Sequence, residues 1–482
     1  MKNSMKGLIC AAITLVFYIL LSAYGLESSI VNMASIVILM ASLWVTEAIN
    51  IYVTALFPLI LFPFFGIMSM KEVSPSYMSD IIFLFIGGFL LAFGLERWDI
   101  HKRISLNIIV KLGGSPKRIL FSFMASSYFL SMWILNTATT MMLLPAALAI
   151  INQIIQTEDK KFQTGLLLGI AFASSIGGSA TLVGTMPNLI LSNFVKEQTL
   201  ITQDINFANW MAVGLPISII FFFITYYILQ KRFVSNEIER INMFTCQKML
   251  VKLGKMKGQE KIVSLVFVLT VLAWFFRKTI TIGSFEIPGW STLLPLEDSS
   301  FIQDGTIALL ASVILFLIPS KHHEGGLIKW DDFKRLPIGV IFLFGSGFAL
   351  SKGITNSGLS DIIQQKMSLL QGIPPFAIMI GLVIFMIFLT EFTSNSASTT
   401  LMIPLVYEAI KSIDTPSFYF LIPLTIAASF AFMLPVATPP NTLVFGTEKI
   451  IMKDMVNTGF WLNILGIIVI SSICSWLVMM VF

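Results

Sequence analysis

Charge is scarce in this sequence: Asp, Glu, Lys and Arg make up 12% of its 482 residues, about half of what a soluble domain carries. Histidine is scarcer still, and His101, His322 and His323 all fall in connecting segments. A membrane enzyme would need a nucleophile, a base or a metal cluster at membrane depth, and with all three histidines in loops that class ranks last. Cys10, Cys246 and Cys474 are too few and too scattered for a disulfide framework or a metal cluster. No Lys/Arg run has the density of a nucleic-acid patch, and no organic cofactor is implied.

Apolar residues are abundant instead, at 56% of the chain, with a mean hydropathy of +0.87. The composition is that of a polytopic membrane protein whose main partner is lipid. Lys2 and Lys6 before Gly7–Gly25 superficially imitate a signal peptide. That apolar run is long enough to span, so it reads as a first transmembrane helix with a cytoplasmic N-terminus. Further spans are expected at Ser29–Glu47, Ile51–Met68, Ile81–Glu96, Gly165–Gly178, Asn209–Gln230, Ile262–Phe276, Gly305–Pro319, Ile338–Ala349, Phe418–Pro435 and Trp461–Phe482. The length criterion thus gives about eleven spans.

Two more apolar stretches, Arg118–Gln153 and Pro374–Ile410, are interrupted midway by polar runs. The first interruption reads Ser131-Met132-Trp133-Ile134-Leu135-Asn136-Thr137-Ala138-Thr139-Thr140, and the second Thr390-Glu391-Phe392-Thr393-Ser394-Asn395-Ser396-Ala397-Ser398-Thr399-Thr400. Polar side chains at that depth are expensive, so they pair, line a cavity or bind something. A re-entrant helical hairpin, entering and leaving on one face, fits each stretch better than one broken span. Loop charges agree. Lys102, Arg103, Lys111, Lys117 and Arg118, the block from Lys231 to Lys261, and Lys321, Lys329, Lys334 and Arg335 fall on one side only if both stretches are hairpins. Arg277 and Lys278 are exceptions. The expected topology is a multi-pass protein of the inner (plasma) membrane. Its N-terminus is cytoplasmic, its C-terminus extracytoplasmic, and its hairpins lie on opposite faces.

The sequence repeats itself. Phe83–Phe89 matches Phe342–Phe348 at an offset of 259, the same offset that relates Asn136 to Asn395. Val183-Gly184-Thr185-Met186-Pro187-Asn188 matches Val436-Ala437-Thr438-Pro439-Pro440-Asn441 at an offset of 253. The matching fourth and ninth spans run oppositely, so the repeats are inverted. Inverted repeats with interrupted helices near the midplane mark secondary transporters. Proline cannot continue a helix, so the chain unwinds at each Pro-Asn break and frees carbonyls at Gly184 and Ala437. The Asn136 and Asn395 amides offer an oxygen to a hard cation such as sodium and nitrogens to an anion. Helices beginning just after the tips turn their N-terminal N–H groups toward an anion. Neither motif contains Arg or Lys.

These motifs resemble the divalent-anion/sodium symporter family, carriers of dicarboxylates, citrate or sulfate with paired Ser-Asn-Thr hairpin motifs. The likeness covers essentially the whole chain, including Trp44-Val45-Thr46-Glu47-Ala48. It implies an elevator mechanism and a homodimer. It also implies one sodium site at Ser131, Leu135, Asn136 and Gly184 and another at Thr390, Thr393, Asn395 and Ala437. Substrate contacts would be Asn136, Thr137, Ser394, Asn395, Ser396, Thr438 and Pro439. Two positions depart from the family pattern. Leu135 stands where the first motif has serine, which removes a hydroxyl near ion and substrate, and Ser396 replaces the second threonine.

The expected fold is therefore all-α, with about eleven spans and two re-entrant hairpins in two inverted repeats. Residues 1–116 form scaffold helices with the start of the first repeat, and 117–232 its transport part. Residues 233–261 are a cytoplasmic connector, 262–373 scaffold again, and 374–482 the transport part of the second repeat. The expected function is sodium-coupled import of a C4-dicarboxylate such as succinate, with a sodium-independent dicarboxylate exchanger or a sodium-coupled sulfate or citrate transporter as alternatives. A cation/proton antiporter would need a titratable acid in the site, and Glu391 is the nearest candidate; a structural partner for a neighbouring donor is the favoured reading of Glu391, as it is of Glu47. His322 and His323 read as a solvated face, and the Phe-rich runs as helix packing around glycine.

Overall fold

The computed structural model describes residues 3–154, 160–196, 198, 201, 203–235, 243–282, 285–295, 301–320, 325–367 and 372–482. His322 and His323, with Lys321, lie outside these residues, as does Arg240 of the basic connector. Among the described residues, 7 helices are long and apolar enough to cross a membrane by length and composition. Shorter apolar helices join them at Ile51–Phe64, Asn136–Asn152, Asp304–Leu317 and Phe418–Ala427. The expected Ile51–Met68 span divides into Ile51–Thr54 and Phe57–Phe64. The last one runs from Met452 to Val481 through a π-helical turn at Ile470–Cys474.

One element departs from an all-helical chain. Ile280–Ile282 and Phe285–Ile287 pair as an antiparallel ribbon. Their β-branched and aromatic residues suit a strand once the chain has left the helix Gly258–Phe275. The same region explains an exception in the loop charges. Arg277 is buried, with its Nε 2.5 Å from Asp304 Oδ1 and its Nη1 donating to the Ile302 carbonyl at 2.9 Å. A guanidinium neutralised inside the protein does not act as a loop charge; Lys278 pairs with Asp204 at the surface.

Both interrupted stretches form pairs of helices joined at the polar run. The first pair is Pro116–Ser131 and Asn136–Ile154, and the second is Pro375–Phe392 and Asn395–Ile410. Proline opens the first helix of each pair, where its missing N–H costs nothing, and Ser115 Oγ accepts the Arg118 amide. The two partners of each pair pack on each other. Each Pro-Asn segment likewise splits a helix: Lys160–Ser179 from Met186–Lys196, and Phe418–Ala427 from Pro439–Phe445.

The repeats interlock. Asn136–Ile154 packs against Pro439–Phe445 of the other repeat, and Asn395–Ile410 packs against Met186–Lys196. The Phe-Gly-rich helices Asp80–Arg97 and Gly339–Asn356 flank this core. Gly87 lets Asp304–Leu317 come so close that a Cβ there would sit 2.5 Å from Ala308 Cβ, and Ser312 donates to the Gly87 carbonyl. That is the close approach expected of the Phe-rich runs.

Candidate functional site

All seven residues expected to touch substrate line one cavity of about 580 Å³. Asn136 and Thr137 come from the first tip, Ser394, Asn395 and Ser396 from the second, and Thr438 and Pro439 from the second break. Leu135, Gly184 and Ala437, from the expected sodium sets, line it as well. Ser131, Thr390 and Thr393 do not reach it; they are buried behind the tips.

The buried hydroxyls hold the asparagines in matching ways. Ser131 Oγ donates to Asn136 Oδ1 at 2.5 Å, and Thr390 Oγ1 donates to Asn395 Oδ1 at 2.5 Å. Ser174 Oγ donates to the Asn136 carbonyl, and Thr399 Oγ1 to the Asn395 carbonyl. Each amide is thereby fixed with its oxygen toward a hydroxyl pocket. The Asn136 amide also rests against Gly178, where a Cβ would stand 2.5 Å from Oδ1. Only glycine leaves room there. Thr393 serves its own tip, with Oγ1 donating to the Leu389 carbonyl and meeting Ser398 Oγ at 2.5 Å.

The breaks are tied by their own asparagines. Asn188 Nδ2 donates to the carbonyls of Gly178 and Thr181, and Asn441 Nδ2 to those of Ala431 and Leu434. In both repeats the donors reach the same positions upstream. The two breaks differ in length, however. The first leaves residues 180–185 between its helices, and the second leaves 428–438. Glu391 accounts for the difference. Its carboxylate accepts the backbone N–H groups of Phe432, Met433 and Leu434 at 2.8, 2.9 and 3.0 Å, and the Asn463 Nδ2 at 2.7 Å. Those N–H groups no longer need a helical carbonyl. The corresponding position of the first repeat is Met132, which has no such acceptor; there Thr181 Oγ1 donates to the Met132 carbonyl instead. Glu391 is thus a structural partner, as the sequence reading favoured.

No charge of Arg or Lys enters the cavity among the described residues that line it. Anion attraction must come from dipoles. Four helices begin at residues that line the cavity: Asn136, Met186, Asn395 and Pro439. The first three present N-terminal N–H groups and the positive ends of their macrodipoles, the second with one fewer because Pro187 has no N–H. The fourth contributes less, because Pro439 and Pro440 carry no N–H and the Asn441 amide is capped by Thr438 Oγ1. Asn136 and Asn395 line the cavity, and their amide nitrogens add two more sets of donors. For a cation, the amide oxygens, the hydroxyls of Ser131 and Thr390 and the unwound carbonyls supply hard oxygen ligands of the kind sodium takes. At Leu135 only the backbone can contribute, and its carbonyl already accepts the Thr139 amide at 3.0 Å.

Sequence reasoning missed Thr185, which lines the cavity as the repeat mate of Thr438, and the 253-residue offset already related them. It also missed Tyr52, in the short helix Ile51–Thr54, and Pro337, just before the helix Gly339–Asn356, which line the cavity and carry no motif.

The profile of the family described as "Sodium:sulfate symporter transmembrane region" matches residues 1–482. The chain is 40% identical over 489 aligned residues to the sodium-dependent dicarboxylate transporter SdcS of Staphylococcus saprophyticus, covering 99% of this chain and 92% of that protein. It is 38% identical over 452 residues to the protein of that name from Staphylococcus aureus, covering 91% and 84%. A solved structure of Neisseria gonorrhoeae MtrF, whose title speaks of a class of antimetabolite efflux pumps, superposes with a TM-score of 0.58 at 9% identity, covering 84% of this chain and 83% of that one. That likeness concerns the fold alone.

Proposed function

The chain belongs to the sodium:sulfate symporter family, and on that premise we propose that it is a secondary transporter importing C4-dicarboxylates such as succinate together with sodium. The observation that carries this reading is the convergence of both Asn-centred tips and both breaks on one cavity free of Lys and Arg. A dianion there needs bound cations to balance it. The relatives named sodium-dependent dicarboxylate transporters support both the ion and the substrate class.

In this reading Asn136 and Asn395 serve ion and substrate at once. Their oxygens, with the Ser131 and Thr390 hydroxyls and the carbonyls of Leu135, Gly184 and Ala437, hold two sodium ions, and Thr393 shapes the second site. Their nitrogens, with Thr137, Ser394, Ser396, Thr438 and the chain at Pro439, face the two carboxylates. Residues 117–232 and 374–482 form the moving part and the remaining helices a scaffold, in a homodimer that works as an elevator. Under the topology set by the loop charges, Glu47, Tyr52 and Pro337 lie at cytoplasmic helix ends, so the cavity opens inward.

Succinate uptake into proteoliposomes tests the proposal. Uptake driven by an inward sodium gradient into empty vesicles is expected, and Asn136→Ala and Asn395→Ala should each abolish it. Uptake only into succinate-preloaded vesicles without sodium would make the protein an exchanger. Unchanged uptake in both variants would discard the site.

A further inference from the structure

Between Met243 and Lys261 the chain carries five lysines, Lys248, Lys252, Lys255, Lys257 and Lys261, against one acid, Glu260. That acid is buried and neutralised. Arg103 of the helix Ile100–Leu112 donates from Nε to Glu260 Oε2 at 2.8 Å and from Nη1 to the Gly254 carbonyl at 2.8 Å. All five lysines are exposed, and none has an ion pair among the described residues. The cavity uses none of them. Within this stretch the helix Phe244–Leu253 has two faces. Cys246, Met249, Leu250 and Leu253 join the main core, and the helix packs against Ile100–Leu112 and touches Asn136–Ile154 of the first hairpin. Phe244, Gln247, Lys248, Val251 and Lys252 recur at i, i+3, i+4, i+7 and i+8 and form the exposed face. Phe244 is 62% and Val251 78% exposed on that face. Bare apolar side chains flanked by lysines, with no acid on the helix, make up the composition of an interfacial helix.

We infer that the exposed face of Phe244–Leu253 docks on anionic phospholipid headgroups. Lys248, Lys252 and Lys255 reach the phosphates, while Phe244 and Val251 enter the boundary of the acyl chains. Under the topology set by the loop charges this surface is the cytoplasmic leaflet, whose negative potential attracts such segments. The helix lies between Phe207–Phe233 and Gly258–Phe275 in the chain. It therefore joins the proposed moving part to the scaffold. On that reading, which this second step rests on, the docked helix is a fixed arm from which the moving part swings.

Hydrogen exchange of the full-length protein in nanodiscs tests the docking, with pure phosphatidylcholine compared with discs containing a third phosphatidylglycerol. Amides of Phe244–Leu253 should exchange at least about fivefold more slowly in the anionic discs, the worth of one lysine at such a surface. High salt should remove the difference. The variant combining Lys248→Gln, Lys252→Gln and Lys255→Gln should exchange equally in both discs, and its Arg counterpart should keep the wild-type difference. A wild type indifferent to lipid charge overturns the inference and leaves the lysines a solvated face. A Gln variant that keeps the difference overturns it too, as does equal slowing in the distant helix Pro439–Phe445. Initial succinate uptake into vesicles of the two compositions tests the arm. It should rise with phosphatidylglycerol in the wild type and not in the Gln variant. Uptake that ignores lipid charge in a docked protein overturns the arm's role, whereas absent uptake overturns the proposed function and leaves the exchange result standing.

Discussion

The hydroxyl of Ser131 points its proton at the amide oxygen of Asn136 across 2.5 Å, five residues along the chain. Thr390 and Asn395 repeat this relationship at the same spacing. Each hydroxyl gives the amide oxygen a donor on the buried side of its tip. A sodium ion that takes the amide oxygen can take the hydroxyl oxygen with it, once that proton rotates away.

Removing either hydroxyl should therefore weaken sodium more than substrate. Ser131→Ala and Thr390→Val are each expected to raise the sodium midpoint of uptake by about ten- to hundredfold, the loss of one polar partner of a charge. Thr390→Ser should stay within about threefold of wild type, because the oxygen survives. Sodium-dependence curves at saturating succinate check this, and equal loss in Thr390→Ser would contradict it.

Leu135 is the first tip's missing hydroxyl. Leu135→Ser puts an oxygen at the repeat mate of Ser394 without disturbing the carbonyl that Thr139 uses. Sodium and succinate should both bind about three- to tenfold more tightly, the worth of one added hydrogen bond. Uptake at limiting concentrations of each measures the change. No gain would mean that the hydroxyl would not reach either ligand.

Glu391 should behave as a brace and not as a proton carrier. Glu391→Gln replaces one acceptor oxygen by a donor facing backbone N–H groups and should cost about 2–4 kcal/mol. Thermal unfolding should show a clear drop in midpoint. The pH dependence of residual uptake should keep its wild-type shape. A stable variant with a flattened pH profile would assign Glu391 to proton coupling.

His101 carries a pH prediction of defined sign. It begins the helix Ile100–Leu112, outside the apolar spans, and its Nδ1 lies 3.0 Å from the Leu95 carbonyl. Burial pushes its pKa down. The unfolded chain then binds more protons than the folded one as pH falls through the unfolded value near about 6.5, so stability declines on acidification. Thermal midpoints at pH 7.5 and about 5.5 should differ less in His101→Gln than in wild type. An equal difference would place the acid sensitivity elsewhere.

The repeats, the interrupted hairpins and the seven cavity residues were legible in sequence because each costs something in lipid. An Asn at membrane depth or a Pro inside an apolar run has few innocent explanations. The ribbon at Ile280–Ile287 was not legible, since residues that suit strands also suit apolar loops and spans. Arg277 looked like a loop charge because its partner Asp304 lies 27 residues away and on another element. The unequal breaks were invisible for a similar reason: Glu391 and the amides of Phe432, Met433 and Leu434 are brought together only by packing. Tyr52 and Pro337 reach the cavity through helix placement, which no local pattern encodes.

The crossed packing of the two repeats also bears on how the protein is made. Asn136–Ile154 finds its cover in Pro439–Phe445, and Met186–Lys196 finds part of its own in Asn395–Ile410. A ribosome that has finished the first repeat has therefore released a polar tip whose neighbours do not yet exist. The nascent chain must hold that tip away from acyl chains until nearly the whole polypeptide has been inserted. Such long-range closure is slow, so the first half expressed alone should be captured by membrane quality control, whereas the two halves co-expressed in one cell can still assemble the site.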